Sequence, residues 1–301
     1  MSPLRILLQT TIPTTADDWS IARFSLLHGY LSSLRDQAGT LLCEVTSRDR
    51  EANENGDDPV MSTLDTSDFD ELWLFAVDVG DGISEKDCQG ISNFRRRGGG
   101  MIVTRDHMDL GCSVCSLAGV GDAHYFHTKN PEPDSSRHCI DDPYTTTISY
   151  PNYHSGRNGD CQSITITEPM HDLLKNPAAT TGIIQFLPAH PHEGAVGAPA
   201  NNPHARAIAT GKSLVTGRTF NLAIALERER DPQGNLLGRA VAESTFHHFC
   251  DYNWDARLDC PSFVNEPPGD TMQTEPQALP DLKAYLRNLA LWLAPDTTQS
   301  D

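Results

Sequence analysis

Three stretches of this sequence set imidazole close to carboxylate: Asp106-His107, His190-Pro191-His192-Glu193, and His247-His248 shortly after Glu243. A histidine oriented by a carboxylate can take a proton from one atom and return it to another near neutral pH. His107, His247 and His248 are therefore candidate acid–base groups, with Asp106 or Glu243 as the orienting carboxylate. Arg105, His190, His192 and Glu193 are candidates to hold a small polar substrate. The same donor types suit zinc or another transition ion, which His190, His192 and Glu193 could bind together with His107 or His247. Yet the segment lacks the i, i+4 helical spacing of zinc hydrolases, and its prolines oppose a helix. Solvated loop histidines are the plainer reading, so no cofactor is expected, with a divalent metal such as zinc as the variant. For any single histidine of the twelve, ordinary packing is the competing reading.

These stretches need a scaffold that brings them together. Asn93-Phe94-Arg95-Arg96-Arg97 reads as the end of a helix, with the arginines at its carboxyl end, and Gly98-Gly99-Gly100 as its stop. The strand-forming run from Met101 then ends in Arg105-Asp106-His107. Gly238 to His248 repeats the theme of an apolar strand ending in histidines. Parallel strands deliver their carboxyl ends to one edge, where open α/β sheets bind ligands. His107 and one of His247 and His248 are thus expected in a common cleft, with the His190–Glu193 loop at its rim. If the strand continued through His247 and His248, these two would point to opposite faces, and only one could line a pocket.

The rest of the chain supplies such a sheet. Strands are expected at 5–10, 41–45, 72–77 and 101–105, with amphipathic helices at 20–34, 84–97 and 279–293. Alternation calls for one more helix between the second and third strands. Further strands are expected at 163–167, 183–187, 205–209 and 219–226. The reading is a single domain over 1–301: a doubly wound, mostly parallel α/β sheet flanked by helices, flavodoxin-like in type. Residues 119–160 read as a loop-rich insertion or lid, and 294–301 as a flexible tail.

Composition narrows the function. With 38% hydrophobic residues in 301, the chain is ordinary for a folded protein with a sizeable core. A formal net charge of -18 repels phosphate backbones and anionic membranes, so neither nucleic acid nor membrane is an expected partner. No apolar run reaches the ~18 residues of a membrane span. Ile6-Leu7-Leu8 is too short for a signal-peptide core, which favours a reducing cytoplasm. Of eight cysteines only Cys112 and Cys115 share CxxC spacing, and without a second pair they read as core residues, with Val114, Leu117 and Ala118 as one face of a buried helix.

Four stretches carry a family resemblance: FRRRGGGMIVTRDH, SITITEPMHDLLKNP, GRAVAESTFHHF and LKAYLRNLALWLAP. Their order resembles the class I glutamine amidotransferase-like fold, and within it the ThuA-like (trehalose-utilisation) family. The resemblance implies a carbohydrate-related substrate. It also marks departures. Glutaminases of this fold carry a nucleophilic Cys on the turn after the central strand, whereas this turn reads Thr104-Arg105-Asp106-His107-Met108, and Cys112 lies too far along. The strand-end His of the family falls nearer the glycines than His107 does, and Phe246-His247-His248 stands where the family has Gly-His. Glutamine hydrolysis through a thioester is not expected, because that route needs a thiolate beside a His base. The leading expectation is a non-glutaminase enzyme of hydrolase or lyase type acting on a small polar, carbohydrate-like substrate. The competing readings are a non-catalytic binding or assembly protein on the same fold and a metal-dependent hydrolase. A homo-oligomer is compatible with each.

Overall fold

The computed structural model describes residues 2–117, 119–142, 144–145 and 147–296. Ala118 and residues 297–301, the end of the expected tail, lie outside them. In chain order the elements are β1 (Leu4–Thr10), α1 (Ser25–Ser33), β2 (Cys43–Arg48), β3 (Glu71–Phe75), α2 (Glu85–Arg96) and β4 (Gly100–Val103). Then come β5 (His124–Tyr125), β6 (Cys161–Ser163), β7 (Thr165–Ile166), β8 (Phe186–Pro188), β9 (Ala195–Val196), β10 (Ala205–Lys212), β11 (Thr219–Leu226) and β12 (Ala240–Glu243). Three helices close the chain: α3 (Asp251–Trp254), α4 (Thr271–Thr274) and α5 (Ala278–Leu293).

Eight strands form one sheet in the order β2-β1-β3-β4-β12-β11-β10-β7. The pairings from β2 through β12 are parallel, and those from β12 to β7 antiparallel. The four expected N-terminal strands are thus in one parallel sheet, and the architecture is α/β. Each face is covered, as the alternation along β3 shows. Trp73 and Phe75 enter the core shared with α1 and α5, while Leu72 and Leu74 enter the opposite core against α2.

Several boundaries differ from the sequence expectation for local reasons. The run 72–77 leaves the sheet after Phe75 because the Thr11 hydroxyl accepts from the amides of Val77 and Asp78, at 2.9 and 3.2 Å. The second strand starts at Cys43 and not Leu41, since the Leu42 amide donates back to Leu34 O at 3.0 Å. Among the described residues no α-helix joins β2 to β3. There a 3-10 turn, Met61–Thr66, buries Met61 and Leu64, and the Asp58 carboxylate caps it by accepting from the amides of Val60 and Met61. Cys112–Ser116 is likewise a 3-10 turn and not a helix, with its cysteines unpaired.

Helix α2 is held by a reciprocal capping box: Ser84 Oγ accepts from the Asp87 amide, and the Asp87 carboxylate accepts from the Ser84 amide. Such a cap contributes about 1 kcal/mol. Gly98 then closes the helix at φ 97°, a conformation in which a side chain is strained. At Gly100 a Cβ would collide with the Leu293 backbone, so the glycine run also lets α5 dock directly on β4.

Candidate functional site

Strands β4 and β12 are parallel neighbours, so the segments after Val103 and Glu243 leave the sheet side by side. After β4 the chain turns through Thr104-Arg105-Asp106-His107. After β12 it passes Ser244 and Thr245 into a 3-10 turn, Phe246–Phe249, started by the Thr245 hydroxyl accepting from the His247 amide at 3.1 Å. His247 and His248 therefore sit on a turn and not on the strand. The loop after β8 brings His190 and His192 over the same edge. Together these segments wall a cleft of about 630 Å³.

Asp106 is the centre of the cleft and is buried. Its carboxylate lies 3.2 Å from His107 Nδ1, 3.7 Å from His247 Nε2 and 3.9 Å from His190 Nε2. The His107 contact is close but poorly aligned, and that ring nitrogen makes no hydrogen bond. Burial opposes ionisation of Asp106, but the facing imidazoles of His107 and then His247 outweigh it and hold the carboxyl well below its usual range. The rings of His190 and His247 stack with centroids 3.5 Å apart and planes 16° from parallel. Burial, then the neighbouring His247, pushes His190 well below the usual imidazole range, so it is neutral at neutral pH. Neither of its ring nitrogens has a hydrogen-bond partner among the described residues.

His247 is held from behind. Its Nδ1 lies 3.0 Å from Asn253 Oδ1. The Asn253 amide in turn donates to Asn158 Oδ1 at 2.9 Å and to Ala189 O at 3.0 Å. Because that amide must donate to the Ala189 carbonyl, its oxygen faces the ring and accepts the Nδ1 proton. The lone pair of neutral His247 is then on Nε2, facing Asp106 and the cleft. The Trp19 ring closes one side, edge-on to His247 at 4.5 Å. His192 also lines the cleft, but its nitrogens turn to Glu266 at 3.1 Å and Asp142 at 3.4 Å. The hydrogen bond with His192 outweighs burial, which acts the other way, and holds Glu266 down at about 2.

Four of the residues singled out from sequence do not reach the cleft. Arg105 is buried against the Phe126 ring and donates to the carbonyls of Asp106, Met108 and Ala195, so it ties the loop down and has no route to a substrate. Burial lowers its guanidinium to about 9. Glu193, Glu243 and His248 form a separate buried network beneath the cleft. His248 lies 3.3 Å from Glu193 and 3.2 Å from Glu243. Glu193 also accepts from Ser155, Gln162 and Ser244, and Glu243 from the Tyr285 hydroxyl. Asp106, His107, His190, His192 and His247 are thus brought together, and Arg105, Glu193, Glu243 and His248 are kept apart from them. Sequence reading missed Asn253, Trp19 and Glu266. Only Asn253, close after the histidine pair, carried any positional signal.

The turn after β4, Thr104 to Met108, holds no cysteine. The cysteines further along are poor substitutes: burial pushes the Cys115 thiol up to about 11 and raises Cys112 too, away from the reactive thiolate.

Fold comparison agrees with this topology. The chain is similar to a ThuA-like protein from Parabacteroides merdae at 16% identity, covering 100% of this chain and 93% of that one, with a TM-score of 0.50. It also matches the CTPS glutaminase domain of Trypanosoma brucei with bound acivicin at 13% identity, covering 98% of each chain, with a TM-score of 0.44. No family model and no curated protein matches the sequence. The likeness is one of fold: this is a class I glutamine amidotransferase-like fold. No helix among the described residues is long and apolar enough to cross a membrane.

Proposed function

We propose that the chain is a non-glutaminase enzyme of hydrolase or lyase type that uses the Asp106–His107–His247 cluster for proton transfer on a small, uncharged, carbohydrate-like substrate. The observation that carries the reading is the convergence of three imidazoles on one buried carboxylate at the carboxyl edge of the sheet. His247, oriented by Asn253, presents Nε2 as the base. His107, less buried and beside Asp106, is the group placed to return a proton.

The cleft wall supports the substrate class. Trp19, Tyr144 and Phe263 offer aromatic surface, while Asn158, Asn265, Asp18 and Glu266 offer hydrogen-bonding groups. Aromatic faces beside amide and carboxylate groups suit the CH faces and hydroxyls of a sugar. No Lys or Arg lines the cleft among the described residues, so an uncharged substrate suits it better than a phosphate or carboxylate. A site with several titratable groups in a deep cleft favours an enzyme over a binding module, which remains the alternative.

The test is a screen of neutral glycosides and their oxidised derivatives for bond cleavage, followed by His247→Gln and Asp106→Asn on any substrate turned over. Each variant is expected to lose ~10²–10⁴-fold in kcat with its fold retained by circular dichroism. Saturable sugar binding without turnover, unaffected by either variant, would instead establish the binding module.

A further inference from the structure

We infer that Asp106, His190 and His247 form a binding site for one divalent transition-metal ion, with zinc the ion that the donor set suits best. The inference rests on the reading of this cleft as the active site but changes one role in it: with an ion bound, His247 Nε2 is a ligand and not the free base, and the ligand set includes Asp106 and leaves out His192 and Glu193. One donor atom from each of the three residues lies within 4.8 Å of the others, and all three side chains are buried. The imidazole nitrogens stand 3.7 and 3.9 Å from the Asp106 oxygens. Tetrahedral zinc with bonds of ~2.0–2.2 Å sets its ligands roughly 3.4 Å apart, so the donors would draw together on binding, with the His190 and His247 rings turning out of their stack so that both lone pairs meet the ion.

Two further observations point to a ligand. His190 is buried with both ring nitrogens lacking a hydrogen-bond partner. Buried polar groups are seldom left so, and a metal ion at Nε2 would satisfy one of the two. His247 has the support of a metal-binding histidine: Asn253 Oδ1 takes the Nδ1 proton, and the Asn253 amide is itself anchored on Asn158 and Ala189 O. Such outer partners fix the tautomer and the ring orientation of metal ligands. Each of the two imidazoles turns its Nε2 to the Asp106 carboxylate, one at either oxygen. His192 is not in the set because its nitrogens face Glu266 and Asp142, and Glu193 is spent on Ser155, Gln162, Ser244 and His248. Three protein ligands leave a coordination position open to the cleft, the arrangement of catalytic and not of structural zinc sites.

The experiment is calorimetric titration of the chelator-stripped full chain with zinc chloride, with metal content measured on the protein as purified. One ion per chain is expected. Asp106→Ala, His190→Ala and His247→Ala should each weaken binding at least ~100-fold and Asn253→Ala ~10–100-fold, while the exposed His204→Ala has no effect. Absence of binding to the native chain, or one tight ion that survives all three ligand variants, overturns the inference. Should any ligand variant fail to fold, cobalt(II) chloride bound to the native chain decides: intense visible bands of a four-coordinate site support it, and the weak spectrum of the aquated ion refutes it. The two readings fail separately. A metal-free protein whose His247→Gln variant loses turnover keeps the acid–base reading alone, and a zinc-loaded protein that turns nothing over keeps the metal site alone.

Discussion

His247 and His248 are neighbours in sequence and opposites in environment. Both are buried, with 3% and 1% of their surface exposed. His248 is bonded at both nitrogens, to Glu243 and Glu193, and those carboxylates are in turn satisfied by a tyrosine, two hydroxyls and an amide. His247 is fixed at one nitrogen only and presents the other to Asp106, beside a His190 that is bonded to nothing. A cluster whose hydrogen-bonding capacity is exhausted holds the fold together. One whose capacity is left open across a cleft is built to meet something else. Imidazole next to carboxylate does not by itself separate the two.

The contrast predicts opposite responses to apolar replacement, and this is the largest effect. His248→Ala leaves two carboxylates buried without their cation and should cost about 3–5 kcal/mol. His190→Leu removes a group that has no partner, so in the metal-free protein the stability should be unchanged to within about 1 kcal/mol, or higher. Urea unfolding of both variants measures the difference. Similar losses in the two would erase the distinction between the clusters.

The second effect is a pH dependence belonging to the satisfied cluster. Burial alone would push His248 down, but the charge and hydrogen bond of Glu193, then those of Glu243, raise it to about 10. Since the folded value exceeds the unfolded ~6.5, the contribution is fully present below that pH and is lost as pH rises through about 10. Tyr285 acts in the same sense. Burial, then Glu243, raises its phenol well above the usual value, so ionisation favours the unfolded chain at high pH. Unfolding midpoints should therefore fall between neutrality and mildly alkaline pH, and His248→Gln should flatten the portion of that slope due to the imidazole. An equal slope in the variant would place the titrating group elsewhere.

The same contrast marks how far the sequence could be read. The apolar run through Leu72–Phe75 and the glycines before Met101 announced a parallel sheet because periodicity and helix stops are local properties. For the same reason Asp106, His107 and His247 were legible as strand-end groups. Whether a neighbouring group was spent or free was not: Glu193 is taken up by Ser155, Gln162 and Ser244, which lie 38, 31 and 51 residues from it in sequence. Arg105 looked like a substrate ligand because the sequence could not show that Phe126 and three carbonyls enclose it. Tertiary context also set the short ribbons β5–β9 and β6–β8, whose few residues carry no periodicity.

The smallest predicted effect tests the open side of the comparison, where side chains contribute to binding and little to stability. Phe263 lines the cleft with 55% of its surface exposed. Its truncation therefore opens no cavity in the core, and Phe263→Ala should change unfolding free energy by no more than about 0.5 kcal/mol. An aromatic face packed on a sugar ring contributes on the order of 1 kcal/mol, or roughly a fivefold change in KM. Because Phe263 is not among the groups that move protons, kcat should stay the same, and so should the pH at which activity is greatest. A fall in kcat with KM unchanged would mean that Phe263 acts on the chemistry and not on the bound ring. In that case the sugar-stacking role of the cleft wall would have to be assigned elsewhere, with Tyr144 the next exposed aromatic at its edge.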